Sequence, residues 1–307
     1  MGQGLLLTAL QHGVNVLAKP IPIPRPFVPS LQDRVSGRVV LVTGASSGIG
    51  RSLALRVAAA GATTVVTARR ADNLAEIVGE IQALGGIAHA ITADLASPDG
   101  VDAVASAVLG RFGAPDILVN NAGRSIRRTV AAAEHRLHDY ERTMRLNYLA
   151  GVGLTLRLLP GMRRRGSGHI VHSSSVGVQG NFPSFSAYVG SKAALDAFLR
   201  IAAIESLADG VAFTNVHLPL VDTEMISPSN WSGFSTLTVA EAADLMVSAI
   251  RRRPRTLNSP MGSLNALGYA VLPGVVSWLQ NLMHRRLEQN HAHLVGREPP
   301  YSATARA

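Results

Sequence analysis

A tyrosine and a lysine four residues apart, Tyr188 and Lys192, are the side chains of this sequence whose types and spacing most directly suit chemistry. They fall within Ser184–Leu207, a stretch with helical spacing, so the phenol and the ammonium are expected on one face, about one turn apart. A free tyrosine, with a pKa of about 10, is a poor proton donor at neutral pH. A neighbouring ammonium favours phenolate and pulls that value down. Such a pair suits carbonyl reduction, in which a proton reaches a developing alkoxide as hydride arrives. The chain has only two lysines, Lys19 and Lys192, among 29 Lys and Arg, so a lysine at this spacing is a sharp signal.

A second motif serves phosphate. Val39–Val42 is followed by Thr43-Gly44-Ala45-Ser46-Ser47-Gly48-Ile49-Gly50 and then by a helical stretch. Glycines let backbone approach a pyrophosphate closely, and the helix that follows points its first amides at that charge. The elements around these motifs alternate regularly. Strands are expected at Val39–Thr43, Thr63–Ala68, Ile87–Thr92, Ile117–Asn120, His169–Ser173, Val211–His217 and, more weakly, near Arg255–Leu257. Helical spacing is found at Gly48–Ala60, Asn73–Leu84, Pro98–Phe112, about Glu134–Arg165, Ser184–Leu207 and Val239–Arg252. This alternation implies an α/β fold, a Rossmann-like doubly wound parallel sheet of about seven strands with helices on both faces. Ligands in such sheets bind beyond the carboxyl ends of the strands, where both motifs fall.

With Thr-Gly-x-x-x-Gly-x-Gly after the first strand and Tyr-x-x-x-Lys downstream, residues 37–255 resemble the short-chain dehydrogenase/reductase family. The resemblance implies a catalytic set of Asn147, Ser175, Tyr188 and Lys192. Ser175 lies thirteen residues before Tyr188, the offset at which the family's serine polarises the substrate carbonyl; Ser173 and Ser174 are the alternatives. Asn147 resembles the helix asparagine that supports a proton relay to the lysine. Thr43, Gly44, Ser46, Ser47, Gly48, Ile49 and Gly50 correspond to the phosphate turn, and Asp94-Leu95 to the adenine contact. Asn121-Ala122-Gly123 corresponds to the ribose region, and Pro219 with Thr223 to the nicotinamide carboxamide; Leu220 stands where the family usually has glycine. Arg69, at the end of the second strand, occupies a basic position of NADP users, and Ala68 stands where NAD users carry Asp. NADP(H) is therefore expected over NAD(H), the other reading being two solvated arginines, Arg69 and Arg70.

The substrate is expected against Ser175, Gln179, Tyr188 and Trp231, in a pocket whose apolar lining suits a lipid-like aldehyde or ketone derived from a fatty acyl group. Arg124, Arg127 and Arg128 are candidates for a CoA or carrier phosphate at its mouth. A steroid or polyketide dehydrogenase of the same chemistry, and a cofactor-bound regulatory protein without turnover, are the alternatives; the full Asn/Ser/Tyr/Lys set argues against the last.

The 307 residues carry a formal charge of +9, which favours anionic partners, but no basic stripe with interleaved aromatics points to nucleic acid. Cysteine is absent, excluding thiol chemistry and disulfides, and no metal site is expected. Residues 1–36 read as an amphipathic segment followed by a stiff linker with Pro20, Pro22, Pro24, Pro26 and Pro29. Residues 256–307 read as an apolar helical extension and tail: no charged residue occurs from Thr256 to Met283. Polar residues and Pro273 inside that stretch disfavour a spanning helix, and one or two helices over Gly262–Met283 are expected instead. The expected protein is cytoplasmic and homo-oligomeric (dimer or tetramer), with peripheral membrane contact through its terminal segments. Its partner is a hydrophobic small molecule, not nucleic acid.

Overall fold

The structure, a computed structural model, describes residues 28–225 and 236–295, with side chains to 285. The amphipathic N-terminal segment, Trp231 and the C-terminal tail lie outside the described residues. After a short helix α1 (Leu31–Val35) the chain alternates β1 (Val39–Thr43), α2 (Gly48–Ala59), β2 (Thr63–Ala68), α3 (Ala71–Ala83), β3 (Ile87–Thr92), α4 (Pro98–Phe112) and β4 (Ile117–Asn120). Then come α5 (Leu137–Met144), α6 (Ala150–Arg165), β5 (Gly168–Ser175), the short α7 (Gly177–Gly180), α8 (Ser186–Glu205), β6 (Val211–Leu218), α9 (Val239–Arg252) and β7 (Thr256–Leu257). A helical hairpin follows, α10 (Pro260–Val271) and α11 (Pro273–Val295).

The seven strands form one sheet, β3-β2-β1-β4-β5-β6-β7, and every pair is parallel. Alternation along β1 divides the core in two. Val40 and Val42 pack with Leu53, Ile77 and Met246 on the α2/α3/α9 side, while Leu41 packs with Leu118, Leu158 and Leu195 on the α4/α6/α8 side. The strand order reverses between β1 and β4, and a crevice opens there beyond their carboxyl ends.

The stretch expected as one long helix about Glu134–Arg165 is divided. A 3₁₀ turn (Ala131–Ala133) precedes α5, and a π-helical turn, Arg145–Leu149, separates α5 from α6. The hydrophobic period runs through this point, and at the break Asn147 bonds to the Arg124 backbone and to Ser191. The expected single or double C-terminal helix is a pair, and α11 extends past Met283. After β6 the chain makes an excursion whose two feet are tied together. Asp222 N donates to Leu237 O and Leu237 N to Leu220 O, both at 2.8 Å.

Candidate active site

The glycine turn after β1 is shaped by close approaches. Gly44 (φ +66°) and Gly48 (φ +56°) take left-handed backbone, and a Cβ on Gly44 would lie 2.8 Å from Ala122 Cα. A Cβ on Gly50 would overlap the Gly44 carbonyl and sit 2.6 Å from Asn121 Nδ2. The ends of β1 and β4 are braced to each other. Thr43 Oγ1 donates to Val119 O (3.0 Å) and accepts from Asn121 N (2.9 Å) and Ala122 N (3.0 Å). Asn121 Nδ2 returns to Thr43 O at 2.9 Å. Thr43 and Asn121 therefore hold the crevice open in a fixed shape.

Ser47 precedes α2 without capping it by its side chain. Instead, the Ser46 and Ser47 hydroxyls accept from Arg70 Nη2 at 3.4 and 3.3 Å. Arg69 and Arg70 are both exposed at the mouth of this turn. Leu95 is buried beside it, and Asp94 Oδ1 accepts from Ala96 N (3.0 Å). Thr223 closes the other side, its methyl 3.5 Å from where a Gly48 Cβ would stand. Leu220 keeps an ordinary negative φ, since positive φ outside glycine is confined to Asn181, Ser184 and Arg253 among the described residues. A cradle of glycines, uncapped helix amides, two serine hydroxyls and two guanidinium groups fits a dinucleotide pyrophosphate and an adjoining phosphate.

The residues expected as the catalytic set converge on the same crevice from three elements. β5 ends at Ser175, whose Oγ accepts from Gly177 N at 3.0 Å and lies close enough to the Tyr188 phenol of α8 to act on its ionisation. Lys192 is buried one turn further on, and its Nζ donates to Ser173 O at 2.7 Å. Asn147, in the π-helical turn, is also buried. Its Oδ1 accepts from Arg124 N (2.8 Å) and its Nδ2 donates to Arg124 O and Ser191 Oγ (both 2.9 Å). Ser191 Oγ in turn donates to Tyr188 O at 2.7 Å. A Cβ on Gly123 would be 3.3 Å from Lys192 Nζ and 3.4 Å from Asn147 Oδ1, so glycine keeps this corner open.

The electrostatics differ from the sequence expectation in one respect. Enclosure by neighbouring atoms pushes the Tyr188 phenol up, against a smaller opposing effect of the Ser175 hydroxyl, although the residue as a whole is only half-buried. Lys192 alone does not pull the phenol down. The lysine's own value falls to about 8 because burial disfavours its charge, and Asp196 partly opposes that fall.

Asp196 was not among the expected site residues. It lies on α8 at the spacing from Lys192 that Tyr188 has on the other side, so the sequence carries a spacing signal for it. It anchors a buried polar group: its Oδ2 is 2.5 Å from His217 Nε2, and its Oδ1 lies 3.7 Å from His172 Nε2. His217 Nδ1 reaches Asn258 Oδ1 at 2.7 Å, and Arg200 approaches Asp196 from the helix surface at 3.8 Å. Burial raises the Asp196 carboxyl, but the hydrogen bond to His217 and its charge are the main effects that outweigh it, so the net direction is down. Arg70, likewise, was expected only as a neighbour of Arg69.

Among the pocket candidates, the buried Gln179 Oε1 lies against Gly262 of α10, and Arg128 pairs with Asp139 at 3.2 Å. Arg124 is partly buried within electrostatic reach of Arg69 and Arg142; burial is the main cause lowering its pKa, the two cations add to it, and Asp94 opposes. No cluster of potential metal ligands occurs among the described residues.

Comparison with known proteins places these features in context. Residues 38–231 match the family model described as short chain dehydrogenase. The chain is 48% identical over 256 residues to an uncharacterized oxidoreductase of Mycobacterium tuberculosis, covering 82% of this chain and 75% of that protein. It is 43% identical over 252 residues to a fatty acyl-CoA reductase of Acinetobacter baylyi, covering 82% and 85%. The L-sorbose reductase of Gluconobacter frateurii, solved with NADPH and L-sorbose, superposes with a TM-score of 0.65 at 31% identity, covering 71% of this chain and 91% of that one.

Proposed function

The chain belongs to the short-chain dehydrogenase/reductase family, and from that premise we propose that it reduces the carbonyl carbon of a lipid-like, long-chain acyl-derived substrate at the expense of NADPH. The observation that carries this reading is the convergence of Ser175 at the end of β5, Tyr188 on α8 and the buried Lys192, whose Nζ is held by Ser173 O at 2.7 Å. Two hydroxyl donors meet at one point, where a single carbonyl oxygen accepts from both. When bound, a reduced nicotinamide supplies the hydride.

Tyr188 gives its proton to the oxygen as negative charge grows there, and Ser175 stabilises that charge. Lys192, with a pKa of about 8, is mostly protonated at neutral pH and compensates the phenolate left behind. It would also bind the cofactor ribose, and Asn147 would support the relay that returns a proton to it. Gly44, Ser46, Ser47, Gly48, Ile49 and Gly50 hold the pyrophosphate, Asp94 and Leu95 the adenine side, and Ala122 and Gly123 the ribose. Pro219 and Thr223 orient the nicotinamide. Arg69 and Arg70 together hold a ribose 2′-phosphate, because a doubly charged group suits two guanidinium groups and no acidic residue stands at Ala68 to repel it. A homo-oligomer belongs to this reading: Leu156 on α6 and Ile201 and Ile204 on α8 are more than half exposed.

Two measurements test the proposal. Fluorescence titration with NADPH and NADH is expected to favour NADPH, and Arg69→Asp with Arg70→Asp to reduce that preference by ~10-fold or more, roughly 1.4 kcal/mol. An unchanged preference overturns the phosphate assignment. NADPH oxidation is then followed with acyl-CoA thioesters and aldehydes of increasing chain length; turnover that does not rise with chain length overturns the lipid reading.

A further inference from the structure

The hairpin of α10 and α11 exposes apolar surface where a soluble element would carry polar groups. Leu267, Val271, Leu272, Val275, Trp278 and Met283 are each more than half exposed. Leu272 is itself the turn between the helices, a position usually occupied by polar residues. The hairpin is nonetheless built firmly. A Cβ on Gly268 would lie 3.1 Å from Val276, so the helices approach closely, and Tyr269 Oη bonds across them to Ser277 (3.3 Å) and Gln280 (3.2 Å). Its base is fixed to α7, just after Ser175, by Gln280 Nε2 donating to Gly180 O and by Gly262 against Gln179.

Along the hairpin, residue types are graded. The tip is aliphatic (Val271, Leu272, Pro273, Val275), Trp278 follows at ~8 Å from Pro273, and Arg285 at ~18 Å, taking 1.5 Å per helical residue. Hydrocarbon, then an aromatic, then a cation is the order of a bilayer surface crossed from its interior to its headgroups. No charged residue occurs from Thr256 to Met283, so nothing on the hairpin up to Met283 repels an apolar phase by charge. The exposed Arg285 and the formal charge of +9 complement anionic headgroups.

We propose that this hairpin docks on an anionic lipid bilayer, inserting its Val271–Val275 tip without crossing, and so sets the mouth beside α7 against the membrane. No described helix is long and apolar enough to span. The proposal stands on the hairpin alone and does not need the substrate reading.

The test uses the full chain, sedimented with vesicles of phosphatidylcholine alone or mixed with phosphatidylglycerol. Expected is co-sedimentation with the mixed vesicles, reduced several-fold in Leu272→Asp/Val275→Asp, while circular dichroism and turnover of a short water-soluble aldehyde stay at wild-type levels. In a Trp231→Phe background, which leaves Trp278 as the remaining tryptophan, emission is expected to shift to the blue on adding mixed vesicles. Wild-type protein left in the supernatant, sedimentation indifferent to the double substitution, or emission unchanged by vesicles overturns the proposal. So does a smaller oligomer of the double variant with vesicle binding unaltered, since a second copy would then be the occupant.

Discussion

Replacing Tyr188 with Phe removes one oxygen and leaves the ring in place. Turnover is expected to fall by ~10²–10⁴, the usual worth of a general acid, while NADPH binding by fluorescence changes less than about two-fold. Asp196→Asn tests a subtler relation. The carboxylate raises the Lys192 pKa against burial, so its loss lowers that value further below about 8. The alkaline limb of the kcat profile should then move to lower pH, with KM little altered. A merely structural Asp196 would reduce kcat without moving the limb. Tyr188 and Lys192 were readable because both lie on one helix at one spacing. The partners of Asp196 were not, since His172, His217 and Asn258 come from β5, β6 and the segment after β7 and meet only once the sheet is assembled.

At the level of elements, β1, β2, β3 and β4 match the sequence expectation residue for residue: β1, β2 and β4 are apolar runs buried along nearly their whole length, and the half-exposed edge strand β3 is bounded by Gly85-Gly86. The π-helical turn at Arg145–Leu149 was not foreseeable: nothing in its apolar spacing changes, and the break serves to aim Asn147 at the Arg124 backbone. The close contact of α2 with the β4 end yields a prediction at this scale. Gly50→Ala places a methyl in the Gly44 carbonyl and against Asn121, so the turn must move. A loss of ~1–3 kcal/mol in urea unfolding is expected, with weaker binding of NADPH and NADH alike. Equal weakening separates this turn from Arg69 and Arg70, whose replacement should act on NADPH alone.

Across the whole molecule, buried histidines set the response to acid. His169 and His172 are held neutral by burial, with values lowered from 6.5 to about 3. The unfolded chain takes up these protons below about 6.5 and the native one does not until about 3, so stability falls as pH drops through that window. Asp196, also lowered, adds stability above its unfolded value of 3.8 and loses it as pH falls through its native one. His217 is raised, chiefly by Asp196 acting against burial, and works the other way: its contribution is full below 6.5 and fades as pH rises through its native value. Urea midpoints should therefore decline on acidification below about 6.5, and His169→Asn should flatten the decline. The paired rungs that join Leu220 and Asp222 to Leu237 have an outcome of another kind. With departure and return pinned at one place, Leu237→Pro, which removes the N–H donated to Leu220 O, is expected to lower the melting temperature measured by circular dichroism.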